Sequence, residues 1–160
     1  MKDLNDKPGH LARRFQQIAV AVFHAEMEEA GFDLTPVQYA ALVAIAAHPG
    51  MDQATLAGTI AYDRTTITGV IDRLAQKGLV VRTPSPRDRR AHELSITAAG
   101  DKMLRQVEPA VQAAQRSMMR GLTAAEGKEL MRLMRKAIDA GNELSRAPMR
   151  EMASAEAKKA

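Results

Sequence analysis

Residues 63–97, DRTTITGVIDRLAQKGLVVRTPSPRDRRAHELSIT, carry two periodicities in succession. In the first half Ile67, Val70, Ile71 and Leu74 recur at i, i+3, i+4 and i+7, the spacing of one buried helical stripe. Asp63 stands where an N-cap belongs, and Lys77-Gly78 supplies the stop. In the second half Leu79-Val80-Val81-Arg82-Thr83 is short and β-branched, residues 84–90 read as a loop, and His92-Glu93-Leu94-Ser95-Ile96 alternates with the period of a strand. The stretch predicts a helix followed by a β-hairpin whose tip is basic.

Working outward, Thr35-Pro36-Val37-Gln38 places a capping hydroxyl, a proline at the first helical position and a capping-box Gln. That second helix ends at His48-Pro49-Gly50, and Asp52 caps a short third one carrying Leu56, Ala57 and Ile60. Upstream, Leu11, Phe15, Ile18, Val22 and Met27 mark a first helix over residues 11–30, closed by Gly31. Downstream, Thr97 caps a fifth helix with Leu104, Val107, Val111, Ala114 and Met118, interrupted at Pro109, where a kink is expected. Thr123-Ala124-Ala125-Glu126 is a capping box opening a sixth, whose stripe of Leu130, Leu133, Met134, Ala137, Ile138, Gly141 and Leu144 needs a partner to cover it. Residues 147–160, rich in Ala, Glu and Lys, read as a flexible tail.

Composition narrows the function classes. At 160 residues, 46% hydrophobic and 26% charged, the chain fits one soluble domain, and 3% aromatics favour helix over sheet. The absence of cysteine excludes disulfides, thiolate catalysis and Cys-ligated zinc. His24 and Glu28 form an i, i+4 pair without an evident third ligand, so no metal and no cofactor are expected. There is no phosphate-binding glycine loop, nucleophile elbow or dinucleotide fingerprint, and the chain does not read as an enzyme. Apolar runs are too short for a membrane span and the N-terminus has no signal-like core, which points to the cytoplasm.

The net charge is +4, and residues 62–92 alone carry an excess of +4, so the positive field is concentrated in one fifth of the chain. Projecting the fourth helix at about 100° per residue turns Thr65, Thr66, Thr68, Gly69, Asp72, Arg73 and Gln76 away from the apolar stripe. Short hydroxyl side chains let a helix approach base edges, and Arg64 and Arg73 suit phosphates. Gly69 costs about 1 kcal/mol in a helix interior; either it permits close approach to DNA or it is a surface position free to drift. At the hairpin tip Arg87, Arg89 and Arg90 surround Asp88; the pattern fits a narrow minor groove, while a solvated charge run is the plainer alternative.

The segments Leu34-Thr35-Pro36-Val37-Gln38-Tyr39, Asp63-Arg64-Thr65-Thr66, Asp72-Arg73-Leu74, Lys77-Gly78-Leu79-Val80-Val81-Arg82, Asp88-Arg89-Arg90-Ala91 and Leu94-Ser95-Ile96-Thr97-Ala98-Ala99-Gly100 follow one another in an order that resembles the MarR family of transcriptional regulators. The resemblance implies a mainly α fold with a small β-hairpin wing: a winged helix-turn-helix over residues 34–100, flanked by dimerisation helices at 1–33 and 101–146. It implies a homodimer on pseudo-palindromic double-stranded operator DNA, with Arg90 as the minor-groove arginine, Arg89 beside it and Asp88 as brace. Base contacts fall to Thr65, Thr66 and Thr68. Many relatives carry an arginine where Gly69 stands, so the operator sequence is not transferable.

The resemblance also implies release by a small aromatic acid of phenolic or benzoate-like type. His10, Arg14 and Gln17, with Arg13 nearby, lie within two turns at the start of the first helix, and with Tyr39 they offer imidazole, cation, amide and phenol for a carboxylate. Surface pairing for the arginines and core packing for Tyr39 is the competing account. The alternative functions are an effector-independent DNA-binding or protein-docking dimer and, further off, a helical ligand-binding protein or enzyme.

Overall fold

Prolines and capping residues set where the helices begin. In a computed structural model that describes residues 3–86 and 91–150, Pro8 and Pro36 open α1 (Pro8–Glu29) and α2 (Pro36–Ala47), where the missing N–H would have had no helical acceptor. Asp52 and Asp63 cap α3 (Gln53–Thr59) and α4 (Arg64–Gln76), accepting from the amides of Thr55 at 2.7 Å and Thr66 at 2.9 Å. The Thr97 hydroxyl accepts from Gly100 N at 3.0 Å as α5 (Ala98–Met118) starts, and donates to the Gly78 carbonyl at 2.7 Å. At α6 (Ala124–Gly141) the capping box is reciprocal: Thr123 N donates to Glu126 Oε2 at 2.8 Å while Glu126 N donates to Thr123 Oγ1 at 3.3 Å. The left-handed glycines Gly31 (φ +77°) and Gly78 (φ +70°) stop α1 and α4, as their positions in the sequence predict.

The expected hairpin is present as β2 (Val80–Pro84) and β3 (His92–Ile96), antiparallel with Val80 opposite Ile96 and Pro84 opposite His92. A further strand, β1 (Met51–Asp52), was not expected. It joins the other edge of β3 through Met51 opposite Leu94, giving the order β1-β3-β2. Gly50, at φ +84°, makes the turn into it and donates its N–H to Leu94 O at 2.9 Å. Two residues carry no periodicity, and the pairing partner lies more than forty positions away.

The chain divides into two compact units, one formed by residues up to Pro36 with Arg105–Met131, the other by Val37–Leu104 with the residues from Arg132 onward. In the second, α3 packs on α4, β1 and β3, and α4 packs on β2. Ile67, Val70, Ile71 and Leu74 are all buried there with Leu42, Ile45, Leu56, Leu79, Val80 and Leu94. In the first unit Phe23, Met27, Leu34, Val107 and Val111 are buried, and Ser117 Oγ on α5 donates to Glu26 Oε1 on α1 at 3.1 Å.

Along α1 Phe23 and Met27 supply the core, while Leu11 and Ile18 are 49% and 47% exposed, because periodicity gives a helix its face but not the turns along which that face is covered. One expectation needs correction. Pro109 does not interrupt α5, which runs as one helix from Ala98 to Met118; the proline deletes one amide donor, and the turns on either side hold.

Leu74, fully buried, should lose about 2–5 kcal/mol of folding free energy on replacement by Ala, read from denaturant unfolding. Gly100→Ala should also destabilise, since a Cβ there would collide with the Leu79 carbonyl oxygen, a backbone atom that cannot swing aside. An unchanged unfolding midpoint for either variant would contradict this packing.

Candidate nucleic-acid interface

Burying the α4 stripe turns the opposite face of the helix to solvent, and Arg64, Thr65, Thr66, Thr68, Gly69 and Arg73 are all exposed. The three threonines differ in what their hydroxyls do. Thr66 Oγ1 donates to Asp63 Oδ2 at 2.7 Å, completing the cap. Thr68 Oγ1 donates to the Arg64 carbonyl at 2.9 Å and accepts from Gln53 Nε2 at 2.6 Å, which ties the middle of α4 to the start of α3. Thr65 makes no side-chain hydrogen bond to another described residue, so its hydroxyl alone of the three is uncommitted. Gln53 was not singled out in the sequence; its partner is fifteen residues away and nothing local announces it.

The Asp63 carboxyl is held below the usual carboxylate range, first by the Thr66 hydroxyl and then by the Thr66 amide. It therefore stays anionic at the positive end of α4. Nothing lies within 4 Å of the place a Gly69 Cβ would occupy, so core packing does not require this glycine.

Arg82 on β2 pairs with Asp72 on α4 at 2.5 Å, linking wing strand to helix. With the two side chains 33% and 47% exposed, the pair is worth less than about 1 kcal/mol and serves to fix orientation. Beside it a groove of about 460 Å³ runs between α3, α4 and the sheet, lined by Asp52, Gln53, Thr68, Arg82 and His92. Beyond the paired strands, Ser85 N–H donates to Ala91 O at 2.9 Å and the Ser85 hydroxyl donates to Glu93 Oε1 at 3.0 Å. Arg87, Asp88, Arg89 and Arg90 lie outside the described residues.

The candidate effector residues divide between the units. His10, Arg14 and Gln17 follow one another at i, i+4 and i+7 on α1; Arg13 lies between them, donating to Gln17 Oε1 at 3.0 Å and standing 3.4 Å from His10 Nδ1. Arg14 donates to Asn5 Oδ1 at 3.3 Å. Tyr39, half-buried, belongs to α2. A cleft of about 160 Å³ in the first unit is lined by Gln16, Ala19, Val20, Phe23, Ala114 and Met118 among others, and by none of the four. Among the described residues no cluster of three His, Asp or Glu side chains is placed to hold a metal, and no helix is long and apolar enough to cross a membrane.

In sequence and fold the chain is similar to known transcriptional regulators. The family model described as MarR family matches residues 34–92. The HTH-type transcriptional repressor NicR of Pseudomonas putida is 32% identical over 137 residues, covering 86% of this chain and 85% of NicR. Among solved structures, the PcaV transcriptional regulator of Streptomyces coelicolor in complex with its natural ligand superposes with a TM-score of 0.80 at 33% identity, covering 88% of this chain and 98% of that one. Bordetella bronchiseptica BpsR, solved to explain regulation of its DNA binding by 6-hydroxynicotinic acid, gives a TM-score of 0.80 at 28% identity, with coverage of 87% and 98%.

Because hydrogen bonding in the native state lowers the Asp63 carboxyl, the cap stabilises fully above the unfolded carboxylate range and is lost as pH falls through the lowered native value. The gap in melting temperature between the native chain and Asp63→Ala should therefore hold steady from neutral pH down to that range and close below it. A gap that persisted under full protonation would mean that the carboxylate is not what holds the start of α4.

Proposed function

From the premise that the chain belongs to the MarR family and is a transcriptional regulator of that family, we propose that it is a homodimeric repressor that reads operator DNA sequence-specifically and is released by a small aromatic acid. One observation carries the DNA-reading part: α4 is rotated by its buried stripe so that a face of small and hydroxylated side chains, framed by Arg64 and Arg73, is the face left to solvent. In this reading α4 enters the major groove. Thr65 reads a base edge through its uncommitted hydroxyl, whereas Thr66 and Thr68, their hydrogens given to Asp63 and Arg64, offer methyl groups for contact with thymine. Gly69 admits the close approach, and Arg64 and Arg73 take phosphates. On the wing Arg90 enters the minor groove, with Arg87 and Arg89 on the flanking backbone and Asp88 bracing.

The dimer is supported by α6, on which Met131, Leu133 and Ile138 are 40%, 47% and 56% exposed. A second copy covers this face, with residues 1–33 and 101–146 as the dimerisation helices. The effector class is supported by BpsR, whose DNA binding is regulated by 6-hydroxynicotinic acid, a heteroaromatic carboxylic acid. His10, Arg14, Gln17 and Tyr39 are the residues proposed for the carboxylate and ring. The release needs a coupling free energy of only about 1–3 kcal/mol between effector and DNA.

Electrophoretic mobility shift against duplexes from the chain's own genomic neighbourhood, with and without 6-hydroxynicotinate and benzoate-type acids, tests this reading. Footprints should show two half-sites centred about 10 bp apart. Gly69→Ala separates fold from function, because it should gain up to about 1 kcal/mol of stability yet weaken operator binding. Arg90→Ala should weaken binding with an unchanged melting temperature. Binding that ignores both substitutions would refute the assignment of α4 and wing.

A further inference from the structure

Past α6 the chain turns through a short 3-10 segment (Asn142–Leu144) and runs back onto α3. The side-chain amide of Asn142 holds the return, donating from Nδ2 to Met149 O at 3.0 Å and accepting at Oδ1 from Met149 N at 2.8 Å. One residue on, Arg150 N donates to the Gly58 carbonyl at 2.9 Å. A Cβ on Gly58 would lie 3.3 Å from Arg150 Cβ and 3.4 Å from its Cδ, so the missing methyl is what lets the aliphatic stem of this arginine lie flat on α3. Residues 142–150 are thus a strap closed on itself by two hydrogen bonds and tied to α3 by a third and by the Arg150 stem.

The strap delivers charge to one place. Arg146 and Arg150, with Tyr62, Asp63 and Arg64, line an open cleft of about 390 Å³ at the start of α4. All three guanidinium groups are exposed, and none forms an ion pair or side-chain hydrogen bond with another described residue. The one acid on the cleft, Asp63, spends its carboxylate on the Thr66 amide and hydroxyl. Three guanidinium groups around this single carboxylate leave the cleft with a net positive charge, which an anionic partner offsets.

We infer that the strap is a third DNA-contacting element, in which Arg146 and Arg150 bind backbone phosphates next to those met by Arg64. The inference rests on the DNA-binding reading above and extends it to a part of the chain outside helix α4 and the wing. Duplex DNA is favoured over a small anion as the occupant because the cleft is open and includes Arg64, the first residue of the helix whose outer face carries Thr65, so a backbone following that face meets the strap without a break.

The test uses the full chain and a fluorescent duplex of random sequence, on which phosphate contacts alone set the affinity. Replacing Arg146 and Arg150 together by Ala should lower the slope of log affinity against log salt by about 2 for each bound protomer. The double Lys variant should restore the slope. An unchanged slope in the alanine pair, while Arg73→Ala still reduces it, would overturn the strap and leave the DNA-binding reading standing. A native chain that bound no duplex at low salt would overturn both. If inorganic phosphate raised the melting temperature of the native chain but not of the alanine pair, with the slope again unchanged, the cleft would hold a small anion and the inference would fall.

Discussion

The orientation of one helix about its own axis governs the rest. Four side chains, Ile67, Val70, Ile71 and Leu74, sit on a single face of α4, and all are buried. At roughly 1.5–3 kcal/mol for each large aliphatic side chain removed from water, the four together far outweigh any surface interaction available to the outer face. The helix therefore cannot rotate to suit a ligand. What it offers to a partner is whatever the sequence placed opposite the stripe, and there the sequence placed hydroxyls, a glycine and arginines.

Polar chemistry refines this orientation without competing with it. The Asp63 cap uses both carboxylate oxygens on Thr66, and the Gln53–Thr68–Arg64 chain of hydrogen bonds registers α4 against α3. At the other end Gly78 stops the helix, and its carbonyl receives the Thr97 hydroxyl that also caps α5. Both ends of α4 are thus fixed by residues that also define its neighbours. Of its three outward threonines, Thr66 and Thr68 donate to Asp63 and to the Arg64 carbonyl, while Thr65 makes no side-chain hydrogen bond to another described residue, a difference among residues that look alike in the sequence.

Charge is handled differently at each edge of the interface. Arg82 is neutralised against Asp72 and acts as a tether, whereas Arg64, Arg146 and Arg150 are left without partners among the described residues. A fixed cation that meets no protein anion costs stability through self-repulsion and gains from association with a polyanion. The basic excess of residues 62–92 therefore understates the cationic surface around the start of α4, because residues 142–150 add cations from a segment far away in sequence.

Helix starts and stops were legible from residues alone because capping and left-handed glycines are local physics: Asp52, Asp63, Thr97 and Thr123 cap where they stand, and Gly31 and Gly78 terminate where φ turns positive. The buried stripe of α4 and the two strands of the wing followed from period 3.6 and period 2 in the same way. Strand β1, the commitment of Thr68 to Gln53, the exposure of Leu11 and Ile18 and the docking of Arg150 on Gly58 were not legible, since each depends on which distant segment arrives opposite. Spacing along a chain specifies which face of an element is apolar. Only the folded arrangement determines which turns of that face are covered, which hydroxyls remain unspent and which arginines gather at one cleft, because those contacts join residues that no local pattern relates.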